Sequence, residues 1–342
     1  MSDTTSVVLV GLGATGLALG QAFVRRGDCD VVGAADVAPS RVGHDLGVLL
    51  GGPPMGMSVV GDIAELPPAD LAVVATTSAL AGIEPTLAGL VQRGMNVVSI
   101  CEELSHPHLS HPDVVARLDE LAVDHGVSVL GTGANPGMIM DTLPILLSSL
   151  TQRVSRVRIR RTADMSHYGA ILTKFGLGLT EEEFRTATDT GTVIGHVGFE
   201  QSIAAIADGL GWTLDEIVVD KPEPAVIAAE SRRGDHVEVG PGTIAAILHG
   251  GRGVVAGEAV IELATHFGFI RDGDPVEAGD ACIVEGEEQT VEVRVPGGYE
   301  SFLSTVAVAS NVATAVVAAD PGFRTMADLP VGAVASKGAA RG

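Results

Sequence analysis

Two short stretches of the chain combine residue types and spacings that could do chemistry. The first, Gly11-Leu12-Gly13-Ala14-Thr15-Gly16, follows the β-branched run Ser6–Val10 and precedes the helix-like LALGQAFVRRG. A strand, a tight turn and a helix start make a phosphate cradle. Gly11 makes the turn, Gly13 lets a pyrophosphate approach the backbone, and Gly16 lets the helix pack closely on the strand. Free N–H groups at the helix start add a positive dipole end. The second stretch is the acidic pair Glu102-Glu103, which follows the strand-like Asn96–Ile100 and Cys101. A carboxyl in an apolar crevice is a weaker acid than one in water and can exchange a proton near neutral pH. In an extended chain adjacent side chains point to opposite sides, so one member faces a substrate. Glu103 is expected there, with Glu102 as the alternative; the same pair would also serve as a helix cap or a solvated turn.

A glycine fingerprint alone is weak in a chain with 44 glycines, so the elements around it decide. A second strand, Asp30–Ala35, ends at Asp36, 20 positions after Gly16, where a carboxylate can take both hydroxyls of an adenosine ribose. Arg41 is near enough in sequence to meet a 2′-phosphate, so Asp36 favours NAD while NADP stays open. Strand-like Leu71–Ala75 runs into Thr76-Thr77-Ser78 and a helix through about Arg93. A helix over Pro112–His125 leads to Val127–Leu130 and then Gly131-Thr132-Gly133-Ala134-Asn135-Pro136-Gly137. Strands alternating with helices, each ending in small or polar residues, predict an α/β fold: a doubly wound parallel sheet of the Rossmann type with its binding crevice along the carboxyl edge. The expected cofactor contacts are Gly11, Gly13, Ala14, Thr15 and Gly16, then Asp36 and Arg41, then the strand-end residues Thr76, Thr77, Cys101 and Asn135.

After Asp141 the pattern changes. Val154–Thr162, Val254–Phe269 and Asp280–Val295 read as long strands, and Thr180–Thr188 and Val193–Leu210 as helices, the first opening on a Thr180/Glu183 capping box. This predicts a second α+β domain with a mainly antiparallel sheet, forming a substrate floor and a homodimer surface. An apolar helix over Ser301–Ala319, stopped by Pro321-Gly322, is expected to pack back on the nucleotide domain. The expected division is 1–140 for the dinucleotide, 141–300 for substrate and dimerisation, and 301–342 for the returning helix and tail. Arg161, Asp164, His167, Tyr168 and Lys174 cluster between a strand and a glycine-rich turn and could line a pocket or a surface hairpin. His196 reads as a buried, hydrogen-bonded histidine.

Composition narrows the function classes. A formal charge of −22, from 43 acidic against 21 basic residues, opposes binding to nucleic acid or to an anionic membrane. Hydrophobic residues make up 46% and aromatics only 3%, the aliphatic filling of a buried parallel sheet. Three cysteines without CxxC spacing argue against disulfides and zinc and for the cytoplasm. Because the polar N-terminus runs straight into a strand-like segment, no signal peptide is expected, and no run is long and apolar enough to span a bilayer. No metal is expected, because the histidines lack ligand spacing, and no GxSxG or P-loop motif appears.

The segments GLGATG, CEELSHP, GTGANPGMIMDTLP, KFGLGLTEEEF, GHVGFEQS and PGFRTMADLP, in this order along nearly the whole chain, resemble the 2,4-diaminopentanoate dehydrogenase and native amine dehydrogenase group, related in fold to dihydrodipicolinate reductase. The resemblance implies NAD(P)H-dependent reductive amination of a carbonyl compound with ammonia, and the reverse deamination. It also implies a glutamate of the CEE motif, Glu102 or Glu103, as the acid/base. For the substrate, Arg161 or Lys174 could pair with the carboxylate of a diamino acid, whereas Met138, Met140 and Phe175 would suit a small aliphatic ketone, aldehyde or amine. The latter is the preferred reading. A reductase that does not use ammonia and a non-catalytic redox sensor are the other classes.

Overall fold

The structure is a computed structural model that describes residues 4–166, 168, 171–330 and 332. It resolves into two compact units. One comprises residues up to Met138 together with the segment from Phe302 onward, and the other spans Ile139–Ser301.

The first unit is built on a six-stranded, all-parallel sheet in which Thr5–Val10 lies between Cys29–Ala35 and Leu71–Val74, continued by Asn96–Ser99, Ser128–Gly131 and Gly322–Arg324. Leu71–Val74 and Ser128–Gly131 are buried at every position, as expected where helices cover both faces of a sheet. Helices Ala14–Arg25, Leu80–Gln92 and Pro112–His125 make the crossovers. Pro112 opens the last of these, and Gly126, at φ +68°, ends it. The predicted Ser301–Ala319 helix is two helices, Ser301–Asn311 and Ala313–Val317, and Gly322–Arg324 then adds the sixth strand. Ser128 Oγ donates to Val316 O at 2.6 Å, which ties this returning segment to the fifth strand.

The second unit carries a seven-stranded mixed sheet. Arg156–Asp164 runs parallel to Glu258–Gly268, and its other pairings and those of the remaining strands are antiparallel. Two long predicted strands are hairpins. Val254–Phe269 contains the turn between Ile244–Val255 and Glu258–Gly268, made by Ala256 at φ +52° and Gly257 at φ +81°. Asp280–Val295 contains the turn between Asp280–Glu285 and Thr290–Val295. The predicted Val193–Leu210 helix begins only at Phe199, because Gly195 and Gly198 take positive φ angles that no helix accommodates. The Thr180/Glu183 capping box opens Glu181–Asp189 as expected. Among the described residues, no helix is long and apolar enough to cross a membrane.

Candidate functional site

The strand order of the first unit reverses at Thr5–Val10, the position where a doubly wound sheet opens its crevice. There the three glycines have distinct physical reasons. Gly11 has φ +86°, and a Cβ on it would sit 2.7 Å from Ala75 O. A Cβ on Gly16 would sit 1.9 Å from Gly11 O, so the helix starts in contact with the turn. A Cβ on Gly13 would meet no neighbouring residue within 4 Å, so the packing of the chain does not demand glycine there. Gly13 is the N-cap of Ala14–Arg25, and no side chain caps that end. Uncapped N–H groups over an open approach fit a dinucleotide pyrophosphate. Ala14 is exposed and Thr15 half-buried in the first turn.

Asp36 organises the turn. Leu12 N–H donates to its Oδ2 at 2.6 Å and Ala38 N–H to its Oδ1 at 2.7 Å, and Arg41 Nε lies 3.9 Å from Oδ2. A carboxylate has about four acceptor directions, so these bonds leave capacity for ribose hydroxyls. A cavity of about 390 Å³ opens beside it, lined by the glycine turn, Asp36, Val37, Gly61, Asp62, Ile63, Thr76 and Thr86 among others. Val37 is 88% exposed, a large apolar side chain with no protein cover. The Ala35↔Val60 bridge, with Asp36 N–H donating to Val60 O at 3.1 Å, brings Gly61, Asp62 and Ile63 to the cavity. Asp62, Ile63 and Thr86 escape a motif-based reading, and the one signal is the apolar pair Val59-Val60 ahead of Gly61-Asp62.

The acidic pair departs from the expected geometry. Glu102–Leu104 forms a single 3₁₀ turn and is not extended, so strand alternation does not sort the two side chains. Both residues are half-buried. Glu103 Oε2 accepts from Leu80 N–H at 2.7 Å, holding the start of Leu80–Gln92, and His111 Nε2 lies 3.7 Å away. The turn lies against the fifth strand, where a Cβ on Gly131 would be 2.3 Å from the Leu104 carbonyl carbon. Thr76 and Thr77 are exposed, and Thr77 Oγ1 accepts from Ala79 N–H at 3.4 Å. Asn135 is half-buried beyond the fifth strand. Cys101 differs from expectation: its thiol is buried, donates to Ser78 O at 3.0 Å, and is pushed up to about 12 by desolvation, so its side chain belongs to the core.

In the second unit one of the two candidate substrate cations, Arg161, has partners within the sheet. Arg161 is fully buried; its Nε contacts Asp280 Oδ2 at 3.1 Å and its Nη2 donates to Tyr299 O at 3.0 Å. Asp280 also accepts from Thr162 N–H at 3.0 Å and Tyr299 N–H at 2.9 Å. A strand-interior arginine in such a network fastens the sheet. Tyr168 Oη donates to Glu300 Oε1 at 3.0 Å, and Lys174 is exposed. His167 lies outside the described residues. Met140 and Phe175 are buried, Phe175 with its ring 5.9 Å from that of Phe267, whereas Met138 is a half-buried member of the first unit's core. The His196 ring packs edge-on against Phe199 and Phe267, and burial pushes it down to about 3. His196 N–H donates to His249 Nδ1 at 2.9 Å, and His249 Nε2 meets Asp220 O at 2.9 Å, so His249 carries its proton on Nε2.

A crevice with an uncapped glycine turn, a carboxylate with acceptor capacity to spare and an acidic pair at the carboxyl edge of the sheet has the form of a Rossmann-type dehydrogenase site. Residues 138–341 match the 2,4-diaminopentanoate dehydrogenase C-terminal domain. A 2,4-diaminopentanoate dehydrogenase from Acetoanaerobium sticklandii is 32% identical, over 96% of this chain and 94% of that protein. An amine dehydrogenase from Streptomyces virginiae is 26% identical, over 86% and 87% of the two chains. The solved structure of an amine dehydrogenase from Mycobacterium smegmatis aligns with a TM-score of 0.83 at 26% identity, over 96% of this chain and 97% of that one. The chain belongs to the 2,4-diaminopentanoate dehydrogenase family and is an NAD(P)-dependent oxidoreductase acting on CH–NH2 groups.

Proposed function

We propose that the chain interconverts a small aliphatic amine with its ketone or aldehyde and ammonia, using NAD. The observation that supports the substrate choice is the Arg161–Asp280 pair, which commits one of the two candidate cations, the buried one, within the sheet and leaves only the exposed Lys174. The dinucleotide supplies a two-electron hydride acceptor or donor. The Gly13 approach and the open helix start bind its phosphates, and Asp36 orients its ribose. The carboxylates of Asp36 and Asp62 in one cavity would repel a 2′-phosphate, which supports NAD over NADP. In this reading Glu103, held by Leu80 N–H, orients ammonia and stabilises the cationic iminium, with Glu102 the alternative proton carrier. A homodimer in the cytoplasm belongs to the same reading.

The test is NADH oxidation with cyclohexanone or pentanal, with and without ammonia. The expected rate requires ammonia. Glu103→Gln should lower kcat by roughly 10²–10⁴-fold, leaving NADH affinity within a few fold. An ammonia-independent rate, or wild-type turnover with both Glu102 and Glu103 changed to Gln, would end the proposal. A second reading, oxidation of 2,4-diaminopentanoate, is favoured by the 32% identical relative, and direct assay of that diamino acid decides it.

A further inference from the structure

The cavity beside Asp36 contains a second carboxylate that neither the glycine fingerprint nor the amine chemistry requires. Asp62 stands at its wall next to Ile63, with the uncovered side chain of Val37 also lining it. Asp62 Oδ1 caps the short turn Ile63–Glu65 by accepting from Ala64 N–H at 2.9 Å. The wall is therefore apolar where a flat heteroaromatic base would lie, with a fixed acceptor beside it. An ionised carboxylate only accepts hydrogen bonds. The adenine ring edge offers an exocyclic amino group, which donates, whereas a hypoxanthine or guanine edge presents a carbonyl oxygen at that position, which only accepts.

We propose that Asp62 reads the amino group of the coenzyme's adenine, making it a specificity-determining residue for the base. This rests on the reading that the cavity beside Asp36 takes the adenosine end of the dinucleotide. A carbonyl oxygen facing the carboxylate leaves two acceptors opposed and unsatisfied, and a site built on a hydrogen bond rejects such an analogue strongly.

The experiment compares NAD with nicotinamide hypoxanthine dinucleotide, in which a carbonyl oxygen replaces the adenine amino group, in steady-state amine oxidation by the full chain. The wild type should show a KM at least about tenfold higher for the hypoxanthine analogue, with similar kcat. Asp62→Asn keeps the turn cap, since Asn and Asp cap equally well, and its amide can donate as well as accept. The KM ratio should then fall to within about twofold, with unchanged melting temperature. Equal KM values in the wild type, or an undiminished ratio in D62N, would overturn the role of Asp62 and leave the dinucleotide site standing. Fluorescence titration with NADH separates the two failures, because a lack of saturable NADH binding would remove the adenosine reading and this proposal together.

Discussion

The two sheets use charge in opposite ways. In the parallel sheet, strands such as Leu71–Val74 are buried throughout and carry no charge; Gly11, Asp36, Thr76 and Glu103, the residues of the candidate site, stand beyond strand ends. In the mixed sheet, charges sit within the strands and answer one another across the ladder. Arg158 pairs with Glu285 and Arg161 with Asp280, whereas Arg160 reaches Glu277, just ahead of the Asp280–Glu285 strand. Arg156–Asp164 and Thr290–Val295 alternate in exposure, as strands with one wetted face do. A charged residue past the end of a buried strand is available to a ligand. One inside a strand is held by its neighbours.

The contrast can be broken most directly at Arg161. Replacing it with Ala strands Asp280 in the interior, and urea unfolding should show a loss of about 3–5 kcal/mol. Pairing Arg161→Met with Asp280→Asn should recover part of that loss. Stability unchanged in the single variant would return Arg161 to the substrate. The glycine turn offers the next test, because two neighbouring glycines should fail differently. Gly16→Ala drives a methyl into Gly11 O and should cost about 3 kcal/mol in stability. Gly13→Ala should leave melting within about 0.5 kcal/mol of wild type while weakening NADH binding about tenfold. Equal behaviour of the two would mean that Gly13 faces no ligand.

The smallest effect is in the second unit's response to acid. Burial pushes His196 down to about 3 and lowers His249 from its ordinary value, whereas an unfolded histidine gains a proton below about pH 6.5. Their contribution to stability is therefore complete above that pH and is lost progressively as pH falls towards the folded value. Between about pH 6.5 and 5, His196→Phe should reduce the slope of unfolding free energy by up to about 1.4 kcal/mol per pH unit. An unaltered slope would show that His196 titrates normally.

Much of the parallel unit was legible because its cues are local. Strand runs end in Gly11, Asp36 and Thr76, and Pro112 and Gly126 bracket a helix. The same locality made the Thr180/Glu183 box readable in the second unit. What escaped depends on partners distant in sequence or on backbone angles that composition does not reveal. Arg161 reads as a free cation until Asp280, 119 residues away, is placed beside it. The turn at Ala256-Gly257 hides inside a β-branched run, and the positive φ of Gly195 and Gly198 removes a turn and more from a predicted helix. At the acidic pair the residues were readable but their backbone was not, since a 3₁₀ turn took the place of an extended segment. Asp62 belongs to no spacing rule and gains meaning only from the cavity that it lines.

Gly131 leaves no space for even one methyl group between the fifth strand and Leu104. The two glutamates thus ride on a ledge whose height is set by a missing side chain, and any larger residue at 131 would lift both carboxylates together. Under the proposed function, engineering that aims to widen the range of amines accepted leaves that ledge intact and works on the surfaces around it.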